Sequence, residues 1–270
     1  MHLNFIKDVY RILFRRHLKL AQRLMLIKAF VLLKIRHKKA SKHDPETPIK
    51  FLNYKVYTDN FGDFFATFNE IFIKEEYFFS GYLQIDTVID AGANIGLATL
   101  YFKWLNDKVR VIGFERDEDT FYYYNKNVIE NNLNDVLVNN FAVGGEESEL
   151  LSYGSHRATT IYKNIADSLP EKGEPEREKT VQVKKLSNFL QTGLQIHLKM
   201  DIEGAEIDVL HELQDEGLLS GLTSMIFEFH FNEESKYLEV KSLLEANTFF
   251  VERGALQKNG NFMISAVSKH

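Results

Sequence analysis

The chain has no cysteine among its 270 residues. This excludes disulfides, a zinc–thiolate centre and a cysteine nucleophile, so any metal would have to be held by His, Asp or Glu. No apolar run reaches the roughly 20 residues that a membrane-spanning helix needs, because Lys28 and Lys34 interrupt the best stretch. No small-residue cleavage site follows the charged N-terminal segment, so it does not read as a signal peptide. Internal repeats and low-complexity tracts are also lacking. Glycine and proline are missing from residues 1–39, and Asp8 is the one acid among residues 1–43. Against that acid stand twelve Lys and Arg, giving +11; with a net charge of −5 for the whole chain, the remaining 227 residues carry −16.

The N-terminal segment therefore reads as a basic helical extension over 1–43. Apolar positions recur at three- and four-residue spacing (Ile6, Val9, Leu13, Leu20, Leu24, Ile27, Val31, Ile35), which predicts one amphipathic helix or two. Such a helix either lies on an anionic membrane through residues 1–40 or packs on the domain or another subunit. Nucleic acid is not expected as a partner, because the body of the chain is acidic. Residues 44–49, with Pro45 and Pro48, read as a linker, and 50–270 as the domain.

Hydrophobic residues make up 44% of the chain, with 22 Phe and 12 Tyr, enough for the core of a large α/β domain. Lys50–Thr58 reads as a strand or hairpin and Phe64–Phe79 as a helix with an aromatic face. Strand then alternates with helix: Thr87–Asp90, Ile95–Leu105, Val109–Glu115, Glu118–Asn132 and Val136–Val143. After an interruption the pattern resumes with Gln195–Asp201, Ala205–Glu216, Ser224–His230 and Glu233–Ala246, and Phe249–Glu252 with Phe262–Val267 closes it as an antiparallel hairpin. The alternation predicts a parallel sheet with helices on both faces. The interruption, residues 148–184, holds short strands at Glu149–Tyr153, Ala158–Tyr162 and Thr180–Lys184 and a charged loop, Asp167–Lys179, that reads as a flap.

Three motifs carry chemistry. In Val88-Ile-Asp-Ala-Gly-Ala-Asn-Ile-Gly96, a buried strand feeds a helix through a glycine turn, leaving backbone N–H groups free at the positive end of the helix. Glu115 ends the next strand, where a carboxylate can accept both hydroxyls of a ribose; the alternative is a solvated acid in an acidic turn. In Leu198-Lys-Met-Asp-Ile-Glu-Gly-Ala-Glu206, carboxylates crowd a strand end, where capping alone explains Glu206 but not Asp201 and Glu203. Finally, alternation puts Glu228 and His230 on one side of their strand. Asp201 with Glu228 or His230 suits a divalent metal by ligand type, although no spacing demands one.

Taken together with FNEIFIKEEYFF (68–79), NNFAVG (139–144) and IFEFHF (226–231), these motifs resemble the FkbM-type S-adenosylmethionine-dependent methyltransferases over residues 50–267. The Gly154-Ser155-His156 stretch follows the small, serine-rich run of that family only loosely. The resemblance implies a class I methyltransferase (Rossmann-like) seven-stranded α/β sheet, order 3-2-1-4-5-7-6, and methyl transfer to a hydroxyl oxygen. By position, Asp90, Gly92, Ala93, Asn94 and Gly96 would cradle the methionine end of S-adenosyl-L-methionine, and Glu115 its ribose. Phe141, Ala142 and Val143 would lie against adenine, Asp201 beside the sulfonium, and Glu76 and Tyr77 on a capping helix. Asp201, His230 and Glu203 are the candidates for removing the acceptor proton.

The expected acceptor is a glycan, a lipid-linked sugar or a small natural product. The expected setting is the cytoplasm, at the inner membrane face if the extension binds lipid, with a homo-oligomer open. An NAD-dependent oxidoreductase fits less well, because the glycine spacing lacks a second phosphate-cradling glycine. A membrane-tethered binding module without catalysis is the third reading.

Overall fold

The protein is described by a computed structural model covering residues 2–39, 43–153, 160–161, 179–231, 233–257 and 260–269. Gly154, Ser155, His156 and the expected flap up to residue 178 lie outside these described residues. The N-terminal segment forms two helices, α1 (His2–Leu13) and α2 (Leu20–Lys38). A hairpin of β1 (Ile49–Phe51) and β2 (Tyr54–Val56) follows. Next comes α3 (Phe61–Phe68), capped by Asn60, whose side chain accepts from the N–H groups of Gly62 and Asp63.

The helix expected over 64–79 ends sooner. Beyond α3 it widens into a π-helical turn, Asn69–Lys74, and stops at Glu75 in the left-handed region (φ 62°). Its end is set by a residue far back in the chain. The buried Arg15 guanidinium donates to the carbonyls of Phe72 (2.7 Å) and Ile73 and sits 3.1 Å from the Glu75 carboxylate. Orphan carbonyls at a helix end need such donors. Glu76 and Tyr77 therefore stand in the turn beyond the helix, not on it as the resemblance implied.

The main sheet contains β3 (Thr87–Ala91), β4 (Arg110–Phe114), β5 (Val136–Asn139), β10 (Ile196–Met200), β11 (Ser224–Phe229), β12 (Phe249–Arg253) and β13 (Phe262–Ser268). Its order is β12-β13-β11-β10-β3-β4-β5. Six strands outside this sheet shift that numbering; counting its own seven strands in chain order, it reads 3-2-1-4-5-7-6 from the far edge. All pairings are parallel except those of β13, which runs antiparallel to both neighbours. Helices α4 (Leu97–Leu105), α5 (Glu118–Glu130), α6 (Glu206–Asp215) and α7 (Glu234–Ala246) lie between the strands in sequence.

The single strand expected over 136–143 is two. At Asn140 the chain turns out of the main sheet, with the Asn140 amide donating to the carbonyls of Glu115 and Arg116. It continues as β6 (Ala142–Gly144) in a second sheet with β7 (Ser148–Tyr153), β8 (Thr160–Ile161) and β9 (Lys179–Lys185), order β6-β9-β7-β8.

Strand alternation divides the core. Val88 and Val111 join one apolar cluster, and Ile89 and Ile112 join the other. The first cluster is aromatic: Phe51, Phe64, Phe68 and Phe72 pack ring to ring at 5.3–6.2 Å between centroids. Each fully buried ring contributes about 2–3 kcal/mol by burial. Ile12 from α1, Leu18 from the loop after it, and Leu26, Phe30 and Leu33 from α2 belong to the same cluster, so the extension and the domain share one core.

Candidate active site

The glycine turn between β3 and α4 opens at the carboxyl ends of the parallel strands, where ligands bind in open α/β sheets. Gly92 takes φ 78°, and a Cβ there would lie 1.8 Å from the Asp201 carbonyl oxygen. Only glycine lets the ends of β3 and β10 run this close, with Asp201 N–H donating to Ala91 O at 2.9 Å. Gly92 and Ala93 in turn donate their N–H groups to Phe114 O at 3.0 and 2.8 Å. Gly96, at φ 87°, lets the turn pass against the ring of Tyr124.

A cavity of about 460 Å³ lies beside this turn, within the usual range for small-molecule sites. Gly92, Asn94, Glu115, Phe141, Ala142 and Val143 line it, with Asp201 and Glu203 at one side. Glu115 is buried, and burial pushes its carboxyl above the usual range, against hydrogen bonds from Asp117 and Asn94 N–H. Each of its oxygens accepts one backbone N–H, from Asp117 at 2.9 Å and Asn94 at 2.8 Å, and keeps lone-pair capacity for a ribose hydroxyl. Phe141 packs against Phe114 and Phe189, both 5.4 Å away between centroids, forming an aromatic wall fit for a base.

Asp90 and Gly96 line neither cavity of the site. Asp90 is fully buried behind the turn: Thr99 Oγ1 donates to it at 2.8 Å, and Lys199 Nζ lies 3.3 Å away. The parallel register places Lys199 opposite Asp90. Lys199 also donates to Gly92 O at 2.7 Å and stands over the Tyr77 ring at 5.0 Å. Local patterning assigns Lys199 no role, and its only signal is a charge inside an apolar strand. Its place shows that it neutralises the buried acid and pins the turn.

A second cavity of about 350 Å³ adjoins the first, sharing Gly92, Asn94, Asp201 and Glu203. Glu76, Tyr77, Ala93 and His230 line it, together with Glu70 and Glu228. The Tyr77 hydroxyl donates to Asp201 Oδ2 at 3.3 Å. Burial raises the carboxyl of Glu70, with Glu76 adding to it; burial also raises that of Glu228, with Asp201 adding, against a hydrogen bond from Asn261.

His230 joins the acids. Its Nδ1 is 2.9 Å from Glu206 Oε1, and its Nε2 lies 3.7 Å from Asp201, 3.6 Å from Glu203 and 3.9 Å from Glu228. Glu206 is fully buried. Its Oε1 also accepts the N–H groups of Ile202 and Gly204, so it orients His230 and the turn as well as opening α6. Burial of the imidazole disfavours its charge, but the Glu206 hydrogen bond and the surrounding carboxylates outweigh this and raise its pKa to about 9. At neutral pH His230 is therefore a cation and a donor, which does not suit the proton-accepting role suggested by its strand position.

The raised pKa makes stability depend on pH. The contribution is complete below pH 6.5, the ordinary value, and disappears as pH rises through about 9. It amounts to about 3 kcal/mol. Urea midpoints should therefore fall between pH 6.5 and 9.5 more steeply in the parent than in His230→Gln; equal slopes would refute the paired imidazolium.

A buried carboxylate beside an aromatic wall, an acidic cluster and a glycine turn at the carboxyl ends of the central strands fit a nucleoside cofactor with a positively charged centre. The family profile of the methyltransferase FkbM domain matches residues 90–251. The chain belongs to the FkbM methyltransferase family. It is an S-adenosylmethionine-dependent methyltransferase. Methyltransferase 1 of Beauveria bassiana (strain ARSEF 2860) is 29% identical over 199 residues, covering 67% of this chain and 79% of that protein. Among solved structures, TYW2 of M. jannaschii in complex with AdoMet aligns with TM-score 0.46 at 14% identity, covering 84% of this chain and 86% of that one. An rRNA methylase from Streptococcus thermophilus aligns with TM-score 0.45 at 12% identity, over 74% and 96%.

The family's profile begins at Asp90 and so leaves out α1–α3 and the π-helical turn. Glu70, Glu76 and Tyr77, which line the second cavity of this methyltransferase, come from that preceding segment. Asp201, Glu203 and His230 offer ligand atoms within 4.8 Å of one another, a spacing open to a divalent ion.

Proposed function

We propose that the enzyme transfers a methyl group to the hydroxyl oxygen of an uncharged, polyhydroxylated acceptor such as a glycan, a lipid-linked sugar or a small natural product. The observation that carries this reading is the second cavity, where Glu70, Glu76, Asp201, Glu203 and Glu228 present carboxylates around one space. Carboxylates accept hydrogen bonds from hydroxyl groups and repel anions.

S-adenosyl-L-methionine fits the first cavity, with Glu115 for the ribose and the Phe141–Val143 edge for adenine. When bound, it supplies an electrophilic methyl on a sulfonium, which the carboxylate of Asp201 complements. Asp201 touches both cavities and stands between the Tyr77 hydroxyl and His230. It accepts the hydroxyl proton as the oxygen–methyl bond forms and the sulfur–methyl bond breaks, while His230 holds Asp201 and Glu203 in place. Alignment of acceptor oxygen and methyl at roughly 3 Å supplies most of the rate.

The test is methyl transfer from labelled S-adenosyl-L-methionine to a panel of uncharged glycosides and their carboxylated or phosphorylated counterparts. Neutral acceptors should be favoured at least tenfold in kcat/KM, and preference for the anionic ones would overturn the reading. Activity that persists in EDTA keeps a proton on His230 Nε2. Loss restored by magnesium would put a divalent ion between Asp201, Glu203 and His230 instead.

A further inference from the structure

We propose that the outer face of the N-terminal helical hairpin docks on an anionic lipid surface. The two helices carry apolar residues on two faces. The inner face is spent in the core: Ile12 and Leu18, then Leu26, Ala29, Phe30 and Leu33, all at most 6% exposed. The outer face is exposed among the described residues. On α1 it presents Ile6, Tyr10 and Leu13, a spacing that keeps them on one side of the helix, and Phe14 follows just beyond its end. On α2 it presents Leu20, Leu24, Met25, Leu32 and Ile35. Of the seventeen large apolar side chains exposed among the described residues, the two helices and the loop between them hold nine. A helix apolar on opposite faces is expected to bury both.

The charge on this face selects the occupant. Lys7, Arg11, Arg16, Lys19 and Lys28 are exposed around the apolar residues, and the one acid of this segment, Asp8, lies 3.7 Å from Arg11. An acidic protein surface would match the cations but leave the apolar side chains in water. An anionic bilayer takes both: the apolar side chains enter the headgroup boundary, and the long basic stems reach the lipid phosphates. Among the described residues no helix is long and apolar enough to cross a membrane, so the hairpin would lie on the surface.

Docking there bears on the site. The loop between the helices carries Arg15, which holds the Phe72 and Ile73 carbonyls and Glu75. The next residues, Glu76 and Tyr77, line the second cavity. The bound hairpin and the acceptor cavity are thereby joined through one buried side chain. The inference stands on the hairpin alone and does not depend on the acceptor class.

The test uses the full chain and sucrose-loaded vesicles at low salt, either phosphatidylcholine alone or with one third phosphatidylglycerol. The protein should sediment with the anionic vesicles and remain in the supernatant with the neutral ones. Three exposed cations contribute enough that Lys7→Gln, Arg16→Gln and Lys28→Gln together should weaken partitioning roughly a hundredfold. Phe14→Ser, Leu24→Ser and Leu32→Ser together should abolish it. Both variants should bind S-adenosylhomocysteine as the parent does, which separates lost docking from lost folding. Failure of the parent to sediment overturns the proposal, as does a serine variant that sediments like the parent. A parent that is a dimer, made monomeric by the serine substitutions and indifferent to vesicles, would assign the face to a second copy instead.

Discussion

Lys199→Met should lower the free energy of unfolding by about 3–5 kcal/mol. Asp90 is fully buried, and its cationic neighbour is Lys199 Nζ at 3.3 Å. Methionine fills a similar space but leaves a buried carboxylate without its counter-charge. Adding Asp90→Asn should recover much of the loss, because the uncompensated charge is then gone. A double-mutant cycle from denaturant midpoints measures the coupling. The substitution also frees Gly92 O, to which Lys199 donates at 2.7 Å, so affinity for S-adenosylhomocysteine should fall as well. A midpoint shift below about 1 kcal/mol would mean that Asp90 finds another partner.

Gly92→Ala should weaken S-adenosylhomocysteine binding by more than about a hundredfold, a loss of roughly 3 kcal/mol. The added Cβ would lie 1.8 Å from the Asp201 carbonyl oxygen, at a backbone φ of 78°. The obstacle is main chain and cannot swing aside. Moving it breaks the hydrogen bond from Asp201 N–H to Ala91 O and separates the carboxyl ends of β3 and β10, which line both cavities. Gly204→Ala is the control, with φ 104° and nothing within 4 Å of the added carbon. It should cost only about 1–2 kcal/mol of backbone strain. Calorimetric titration of both variants separates a clash from strain, and similar losses in both would refute the close approach.

The parallel sheet, the glycine turn and the acids at strand ends were legible because each is a local pattern of periodicity or spacing. The pairs that organise the site were not. Asp90 and Lys199 are brought together by the β3–β10 register, and Glu206 and His230 by the adjacency of β10 and β11. No local window contains both members of either pair. The helix expected to carry Glu76 and Tyr77 stops at Glu75 because Arg15 binds its last carbonyls. The strand expected over 136–143 divides because the Asn140 side chain finds carbonyl partners on the loop after β4. In the N-terminal helices, periodicity marked apolar positions but could not say that one face is covered and the other bare.

That shared core also sets an order of events during synthesis. The buried faces of α1 and α2 rest on residues of α3, the π-helical turn and α4, all of which leave the ribosome after them. Until α4 has emerged, the nascent chain shows water two apolar faces on helices that cannot yet dock. Transiently exposed apolar surface is where aggregation begins. The two helices, made before the residues they rest on, are therefore the part most in need of shelter, from a chaperone or from a nearby bilayer.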